Sequence, residues 1–116
     1  MRRSLVEEFA AFDRHLADER GVSPHTRAAY GKDLARFARF LCVFLEKPPG
    51  KVAAADVDPL AVRSYLAHLR AEGLGKSSTS RHLSALRTFF AFLKREGRAA
   101  SNPVTGCRPS RISRPG

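Results

Sequence analysis

Cysteines and long apolar runs are both scarce in this chain of 116 residues. Cys42 and Cys107 are the only cysteines, and no Cys or His pair has metal-ligand spacing, so we expect neither a disulfide framework nor a metal site. No apolar run approaches the roughly 18 residues of a membrane span. The N-terminus, with Glu7 and Glu8 soon after its arginines, does not match a signal peptide. We therefore expect a cytoplasmic protein without cofactors.

Acidic residues are almost absent from the last third of the chain. The whole chain holds 21 Lys+Arg against 11 Asp+Glu, a net charge of +10 with a pI near 10.8. Residues 76–116 hold nine of the basic residues and a single acid, Glu96, whereas residues 1–75 are nearly balanced. Such an excess favours a polyanionic partner, most often nucleic acid, although an anionic membrane surface would also suit it.

Strand-like alternation is missing too, and no repeat of fixed period is present. Apolar residues recur instead at three- and four-residue steps, which is typical of α-helices. We predict an all-α fold, a compact bundle of four main helices arranged as two hairpin-like pairs. The expected helices cover about residues 5–20, residues from 24 to a stop at Pro48-Pro49-Gly50, residues 59–71 and residues 77–96.

Capping residues set the predicted helix starts. Ser4 with Glu7 matches a capping box. Ser23 and Asp58 each precede a proline, the combination of N-cap and first helical residue that opens many helices. For the fourth helix we expect a serine cap from Ser77, Ser78 or Ser80, with Gly97 beyond its end.

The stretch from residue 75 to residue 97 carries the strongest functional signal. One side of this predicted helix is apolar and the other is short, polar and cationic. Small side chains permit close approach to a DNA groove, and arginines bind phosphates and guanine edges. The alternative is a basic surface helix that is simply solvated. The two sides comprise Leu83, Leu86, Phe89, Phe90 and Leu93, and Ser77, Ser80, Arg81, Ser84, Thr88 and Arg95.

The second predicted helix has a similar polar stripe. Because its basic residues are long and flexible, they are expected to contact phosphates more than bases. Both helices begin with a polar turn whose free N–H groups suit phosphate, so the two could straddle a duplex. The stripe comprises His25, Ala29, Lys32, Arg36 and Arg39, with Asp33 to its side, opposite an apolar stripe of Tyr30, Leu34, Phe37, Leu41 and Leu45.

Several single positions carry expectations that the structure can test. The third helix is expected to bury Leu60, Tyr65, Leu66 and Leu69. Both tyrosines, Tyr30 and Tyr65, are expected in the core. His25, His82 and Phe92 are expected on polar faces, where Phe92 could pack on the first helix, on another domain or on a neighbouring subunit.

Three motifs, in order along the chain, resemble a known family. They are SPHTRAAY with DLARF at residues 23–37, STSRHLSALRTFF at residues 78–90, and Asn102-Pro103-Val104. Together they resemble the N-terminal core-binding domain of tyrosine site-specific recombinases, with the Xer and phage-integrase type closest. The similarity covers residues from about 5 to 104.

The resemblance implies a small SAM-like helical bundle that forms half of a C-shaped clamp on double-stranded DNA. Its second and fourth helices would approach the major groove of a recombination half-site, and other recombinase subunits would complete a tetramer on DNA. Residues 1–104 would be the core-binding domain and residues 105–116 a basic linker toward a C-terminal catalytic domain. That domain's arginines, lysine, histidine and nucleophilic tyrosine have no counterpart in this chain, so we expect DNA binding without strand cleavage, in a fragment rather than a naturally truncated protein.

The candidate DNA-binding residues follow from both stripes and from the family positions. Arg81 and Arg87 are the leading candidates, although Arg87 could instead pair with an acid on another helix. Thr26 could contact DNA or serve only as a local cap. The full set is Thr26, Arg27, Lys32, Arg36, Arg39, Lys76, Ser77, Ser78, Ser80, Arg81, Ser84 and Arg87.

Two other functions remain open from sequence. A helix-turn-helix-like transcription regulator fits the short break between the third and fourth helices, at about residues 73–76. A basic helical protein-interaction module would bind an acidic partner and would not retard duplex DNA in a gel. A catalytic tyrosine encoded downstream in the parent gene would favour the recombinase.

Overall fold

Four α-helices make up most of the chain described by the structure, a computed structural model that covers residues 4–19, 21–99 and 102–104. Two 3₁₀ turns, Pro49–Lys51 and Ala54–Asp56, connect the second helix to the third, and these described ranges contain no strand. The all-α, four-helix prediction is confirmed. The helices are α1 (Leu5–Asp18), α2 (Pro24–Phe44), α3 (Pro59–Ala71) and α4 (Lys76–Arg95).

The first three helices begin as their capping residues predict. Ser4 and Glu7 form a reciprocal capping box: the Ser4 N–H donates to the Glu7 carboxylate at 2.9 Å, and the Glu7 N–H donates to the Ser4 hydroxyl at 3.2 Å. Ser23 caps α2 and Asp58 caps α3, each accepting a backbone N–H.

The predicted serine cap of α4 is wrong. Its N-cap is Gly75, which offers no side chain, and the helix already includes Lys76. Ser77, Ser78 and Ser80 therefore lie within the first turns of α4. The Thr79 hydroxyl donates back to the Gly75 carbonyl at 2.9 Å, so it does not cap the free N–H groups of this end.

The helices α2, α3 and α4 end in the same backbone motif. A residue of positive φ follows the helix, and two backbone N–H groups donate to carbonyls of its last turn. Gly73 and Gly97 hold this place after α3 and α4, as predicted for Gly97. After α2 it is held by Glu46, with φ 55°, while the Lys47 N–H donates to the Cys42 carbonyl at 3.0 Å.

Two predicted helix ends are therefore too late. The helix α2 ends at Phe44, before the Pro48-Pro49-Gly50 stop, because the positive φ of Glu46 has already ended it. The helix α1 ends at Asp18, and Gly21 with φ 86° follows it. The predicted last residue of α1, Arg20, lies outside the described residues.

The helices α2 and α4 lie at the centre of the bundle. Each of them packs against all three other helices, so the arrangement is more closed than two separate hairpins. Their buried faces share one core that includes Leu34, Phe37, Leu86, Phe89 and Phe90. The exposed faces of these two helices are consequently fixed in position by packing on several sides.

The structure corrects the predicted polar positions of Phe92 and His82 and the predicted burial of Leu60. Of the three alternatives for Phe92, it shows packing on the first helix. Phe92 is only 6% exposed and its ring lies 5.4 Å from that of Phe12 and 4.8 Å from that of His15, measured between centroids. His82 is buried as well. Because α4 is covered from three directions, its buried arc is wider than one apolar stripe. Leu60, on the outer bundle helix α3, is 56% exposed instead of buried.

Tyr65 is fully buried, as predicted, and Tyr30 is half-buried against Phe12. Burial raises the pKa of the Tyr65 hydroxyl, which therefore stays protonated and is a poor nucleophile. Cys42 is half-buried and unbridged, and Cys107 lies outside the described residues. None of the described helices combines the length and apolarity needed to cross a bilayer.

Candidate nucleic-acid interface

A groove of about 210 Å³ lies between α2 and α4, and we call it the α2–α4 groove. It brings together three of the predicted DNA-binding residues, Thr26 from the first turn of α2 and Arg81 and Ser84 from α4. The groove is therefore a shared surface of the two helices that the sequence singled out. Its lining is Thr26, Ala29, Tyr30, Asp33, Arg81, Ser84 and Ala85.

Arg81 is held at the groove by a two-pronged ion pair with Asp33. Its Nε donates to one carboxylate oxygen at 3.2 Å and its Nη2 donates to the other at 3.1 Å. The Asp33 side chain is only 7% exposed, whereas that of Arg81 is 60% exposed. Sequence reasoning placed Asp33 beside the basic stripe and gave it no role, although one acid within a basic stripe is a signal for such a pair.

His82 and Tyr65 lie behind this ion pair. The His82 Nδ1 is 3.6 Å from an Asp33 oxygen and 3.4 Å from the Tyr65 hydroxyl, and its Nε2 is 3.5 Å from the Arg81 Nη2. Burial lowers the pKa of His82, and the Arg81 charge adds to this effect while Asp33 opposes it. A neutral imidazole with its proton on Nδ1 suits these neighbours, since Nε2 then accepts from the guanidinium.

Two further candidate arginines of α2 are paired with carboxylates of other helices. Arg27 donates to Asp13 of α1 from both Nε and Nη2, at 3.3 and 2.9 Å, and this bond raises the pKa of Arg27. Arg36 donates to Glu72, the C-cap residue of α3, and this bond lowers the pKa of Glu72. Both pairs are substantially exposed, so either can be released to water at little cost.

The stripe predicted along α2 does not face a single groove. Thr26 borders the α2–α4 groove, whereas Arg36 and Arg39 border a wider recess of about 530 Å³ between α2 and α3. Lys32 is exposed on the same helix. The remaining residues around this recess are Phe40, Val43, Phe44, His68 and Glu72.

Thr26 was expected either to contact DNA or to cap its helix, and Arg87 either to contact DNA or to pair with an acid. The Thr26 N–H donates to the Ser23 hydroxyl, and the two hydroxyls are 3.1 Å apart, so Thr26 takes part in the α2 cap while its side chain remains exposed. No carboxylate of the described residues forms an ion pair with Arg87, whose side chain is exposed. Its backbone carbonyl accepts from the Asn102 side-chain amide at 3.3 Å.

The remaining candidates lie along the exposed face of α4. Lys76, Ser77, Ser80 and Ser84 are exposed, and Ser78 is half-buried. The surface offered by α4 is therefore one of hydroxyls and cations, as its sequence predicts.

Comparison with known proteins places this arrangement in a family. The family model described as "Phage integrase, N-terminal SAM-like domain" matches residues 9–97, which include α1 from its fifth residue onward and the whole of the other three helices. The chain belongs to this phage integrase N-terminal SAM-like family. The resemblance inferred from the sequence motifs is thereby confirmed.

Curated relatives of this SAM-like domain are named tyrosine recombinase XerC. The chain is 43% identical over 100 residues to that of Pelobacter propionicus, covering 86% of this chain and 32% of the relative. It is 34% identical to that of Agrobacterium fabrum, covering 90% and 33%, and 38% identical to that of Pseudomonas fluorescens, covering 95% and 35%. The chain thus spans about a third of the length of these relatives. No solved structure gives a significant match.

Proposed function

We propose that this SAM-like domain binds double-stranded DNA through the exposed faces of α2 and α4. The observation that carries the proposal is the convergence of Thr26, Arg81 and Ser84 on the α2–α4 groove. Hydroxyls and a guanidinium at one groove are groups that bind phosphates and base edges. The family and the names of the curated relatives favour DNA over other polyanions as the partner.

Charge divides the candidate residues into two groups. Arg27, Arg36 and Arg81 are each paired with a carboxylate within the bundle. The other candidate cations are exposed and form no ion pair with the described residues, so their charges are available to phosphates at once. This second group is Lys32, Arg39, Lys76 and Arg87.

We place this function within site-specific recombination. The 116 residues would hold one side of a recombination half-site, with residues 105–116, outside the described residues, as a basic linker toward a catalytic domain. Strand cleavage would belong to that domain, and other recombinase subunits would join on the DNA. The names of the curated relatives support this role.

The salt dependence of duplex binding tests the proposal. Four phosphate contacts predict a slope of about −3.6 for log affinity against log salt, or roughly two decades of affinity between 50 and 200 mM. The slope should become less steep by about one in each of four single variants, Lys32→Gln, Arg39→Gln, Lys76→Gln and Arg87→Gln. Lys51→Gln, an exposed lysine in the α2–α3 connection, is the matched control and should leave the slope unchanged.

Three outcomes would contradict this assignment. An affinity for duplex DNA that does not change with salt would exclude binding through ionic contacts with phosphates. If Lys51→Gln reduced the salt slope as much as the four variants do, binding would depend on the net charge of the domain and not on the faces of α2 and α4. Binding to an acidic protein with no shift of duplex DNA would favour the protein-interaction alternative.

A further inference from the structure

We propose that DNA binding by this domain is coupled to the uptake of one proton by His82, which replaces Arg81 as the positive charge beside Asp33 and lets Arg81 bind a phosphate. The inference rests on the proposed DNA binding and deepens it. It follows from the position of His82, which contacts both members of the ion pair.

His82 and Arg81 compete for one carboxylate oxygen. The Oδ1 atom of Asp33 accepts from Arg81 Nη2 at 3.1 Å and lies 3.6 Å from His82 Nδ1. The other ring nitrogen of His82, Nε2, is 3.5 Å from the same Nη2 of Arg81. A neutral imidazole can accept a hydrogen of Nη2 there, whereas a protonated imidazole has donors on both nitrogens and cannot. Protonation of His82 therefore strengthens its contact with Asp33 and makes its contact with Arg81 repulsive.

The other groups that face His82 support this exchange. On α3, the Tyr65 hydroxyl is 3.4 Å from Nδ1, and burial raises the pKa of Tyr65, so it stays protonated where a histidine titrates. Burial lowers the pKa of His82, and the charges of Arg81 and Arg36 lower it further. Asp33 opposes these effects. When Arg81 moves away and Asp33 remains, the pKa of His82 therefore rises.

The members of this cluster differ in their access to DNA. The Arg81 side chain is 60% exposed at the α2–α4 groove, whereas those of Asp33 and His82 are 7% and 3% exposed. Arg81 can therefore move to a phosphate, but a buried carboxylate left without a cation is costly. A protonated His82 compensates that carboxylate from its present position, so the exchange does not require the core to open.

Arg27 provides a comparison without this coupling. It binds Asp13 through Nε and Nη2, as Arg81 binds Asp33. The Asp13 side chain is 52% exposed, so water solvates its carboxylate once Arg27 moves to a phosphate. Release of Arg27 therefore needs no proton. The two pairs have the same chemistry and differ in burial, which makes Arg27 the matched control for Arg81.

The first experiment measures the pKa of His82 by NMR titration of its imidazole in the full chain without DNA. Arg81→Gln removes the competing charge and should raise the pKa of His82. Arg27→Gln removes the same charge from the exposed pair and should leave the pKa of His82 unchanged. If Arg81→Gln also left it unchanged, the exchange of cations would be refuted, whether or not the chain binds DNA.

The second experiment measures the affinity for duplex DNA at constant salt between about pH 7.5 and 5.5, the range around the ordinary histidine pKa. Uptake of one proton raises the affinity by at most about tenfold per pH unit, as the pH falls from the His82 pKa of the complex toward the lower pKa of the free chain. Because exposed histidines also gain charge in this range, the decisive quantity is the part of the rise that depends on His82. His82→Asn should reduce the rise in the wild-type background and cause no reduction in an Arg81→Gln background.

The outcomes separate this inference from the proposed function. Duplex binding with the same pH dependence in the wild-type chain and in His82→Asn would overturn the coupling and leave DNA binding intact. Circular dichroism establishes whether His82→Asn is folded. If it is not, the pKa of His82 in the wild-type chain decides the question, since it should rise on binding duplex, and an unchanged value would contradict the coupling. Failure of the wild-type chain to bind any duplex would overturn both the coupling and the proposed function.

Discussion

Arg98, three residues beyond the end of α4, donates from Nη1 to the buried carboxylate of Glu8 at 2.7 Å. The Glu8 side chain is 7% exposed and that of Arg98 is 30% exposed. This pair fastens the segment after α4 to α1. A charge that is buried and paired in this way costs most when only its partner is removed.

Arg98→Ala should therefore lower the free energy of unfolding by about 2 kcal/mol, because it leaves the Glu8 carboxylate uncompensated. Glu8→Gln should cost less, since its amide oxygen still accepts from Arg98. Urea titration measures both, with Lys94→Ala, an exposed cation of α4, as the control. A larger loss for Glu8→Gln than for Arg98→Ala would contradict this account.

Phe92 packs between Phe12 and His15 of α1, so we expect it to contribute to stability within a single chain. Phe92→Ala should lower the free energy of unfolding by about 3–5 kcal/mol, the usual cost of a buried phenylalanine. Thr88→Ala, at an exposed position of the same helix, should change it little. A small effect of Phe92→Ala on the isolated chain would mean that the ring belongs to an interface with another protein.

Glu46 occupies the positive-φ position that glycine holds after α3 and α4. Side chains with a Cβ are strained in this conformation, so Glu46→Gly should raise the free energy of unfolding by about 1 kcal/mol. Gly97→Ala should lower it by a similar amount, because the same strain is then introduced at φ 76°. Thermal or urea unfolding measures the stability of the two variants. If both substitutions changed the free energy of unfolding in the same direction, the explanation would be refuted.

His82 should make stability depend on pH. Because burial lowers its pKa in the folded chain, the unfolded chain, with a histidine pKa of about 6.5, takes up the proton first as the pH falls. The contribution of His82 is therefore complete above about pH 6.5 and is lost as the pH decreases toward the lower folded pKa.

Unfolding free energies of the wild-type chain and His82→Asn between pH 7.5 and 5 measure this contribution. The decrease on acidification should be smaller in His82→Asn. His25→Asn removes an exposed histidine and serves as the control. Equal slopes for wild-type chain and His82→Asn would rule out His82 as the group that titrates.

Capping residues and helical periodicity, which are local signals, were enough to predict most of the fold. Asp58 followed by Pro59 fixed the start of α3, and its predicted range agrees with the structure at both ends. The predictions failed where a local signal had several solutions. Gly75 and the serines after it could all begin α4, and Glu46 ends α2 in a positive-φ conformation that its residue type does not favour.

The candidate site was predicted less completely, for a physical reason. The exposed cations of α2 and α4 follow from helical periodicity, which is local. The pairing of Asp33 with Arg81 joins residues 48 positions apart, and the burial of His82 depends on three helices meeting around α4. The spacing of residues along one helix predicts neither the Asp33–Arg81 pair nor the burial of His82. Both could be found only in the packed structure.

The Asn102 side chain donates to the Arg87 carbonyl, and Val104 is fully buried after it. Arg87 lies eight residues before the last residue of α4, so the chain has doubled back by roughly 12 Å when it reaches Asn102. Asn102 and Val104 are consequently held beside the flank of α4. This is the helix that carries Arg81, so a tilt of α4 would move Val104 and Arg81 together.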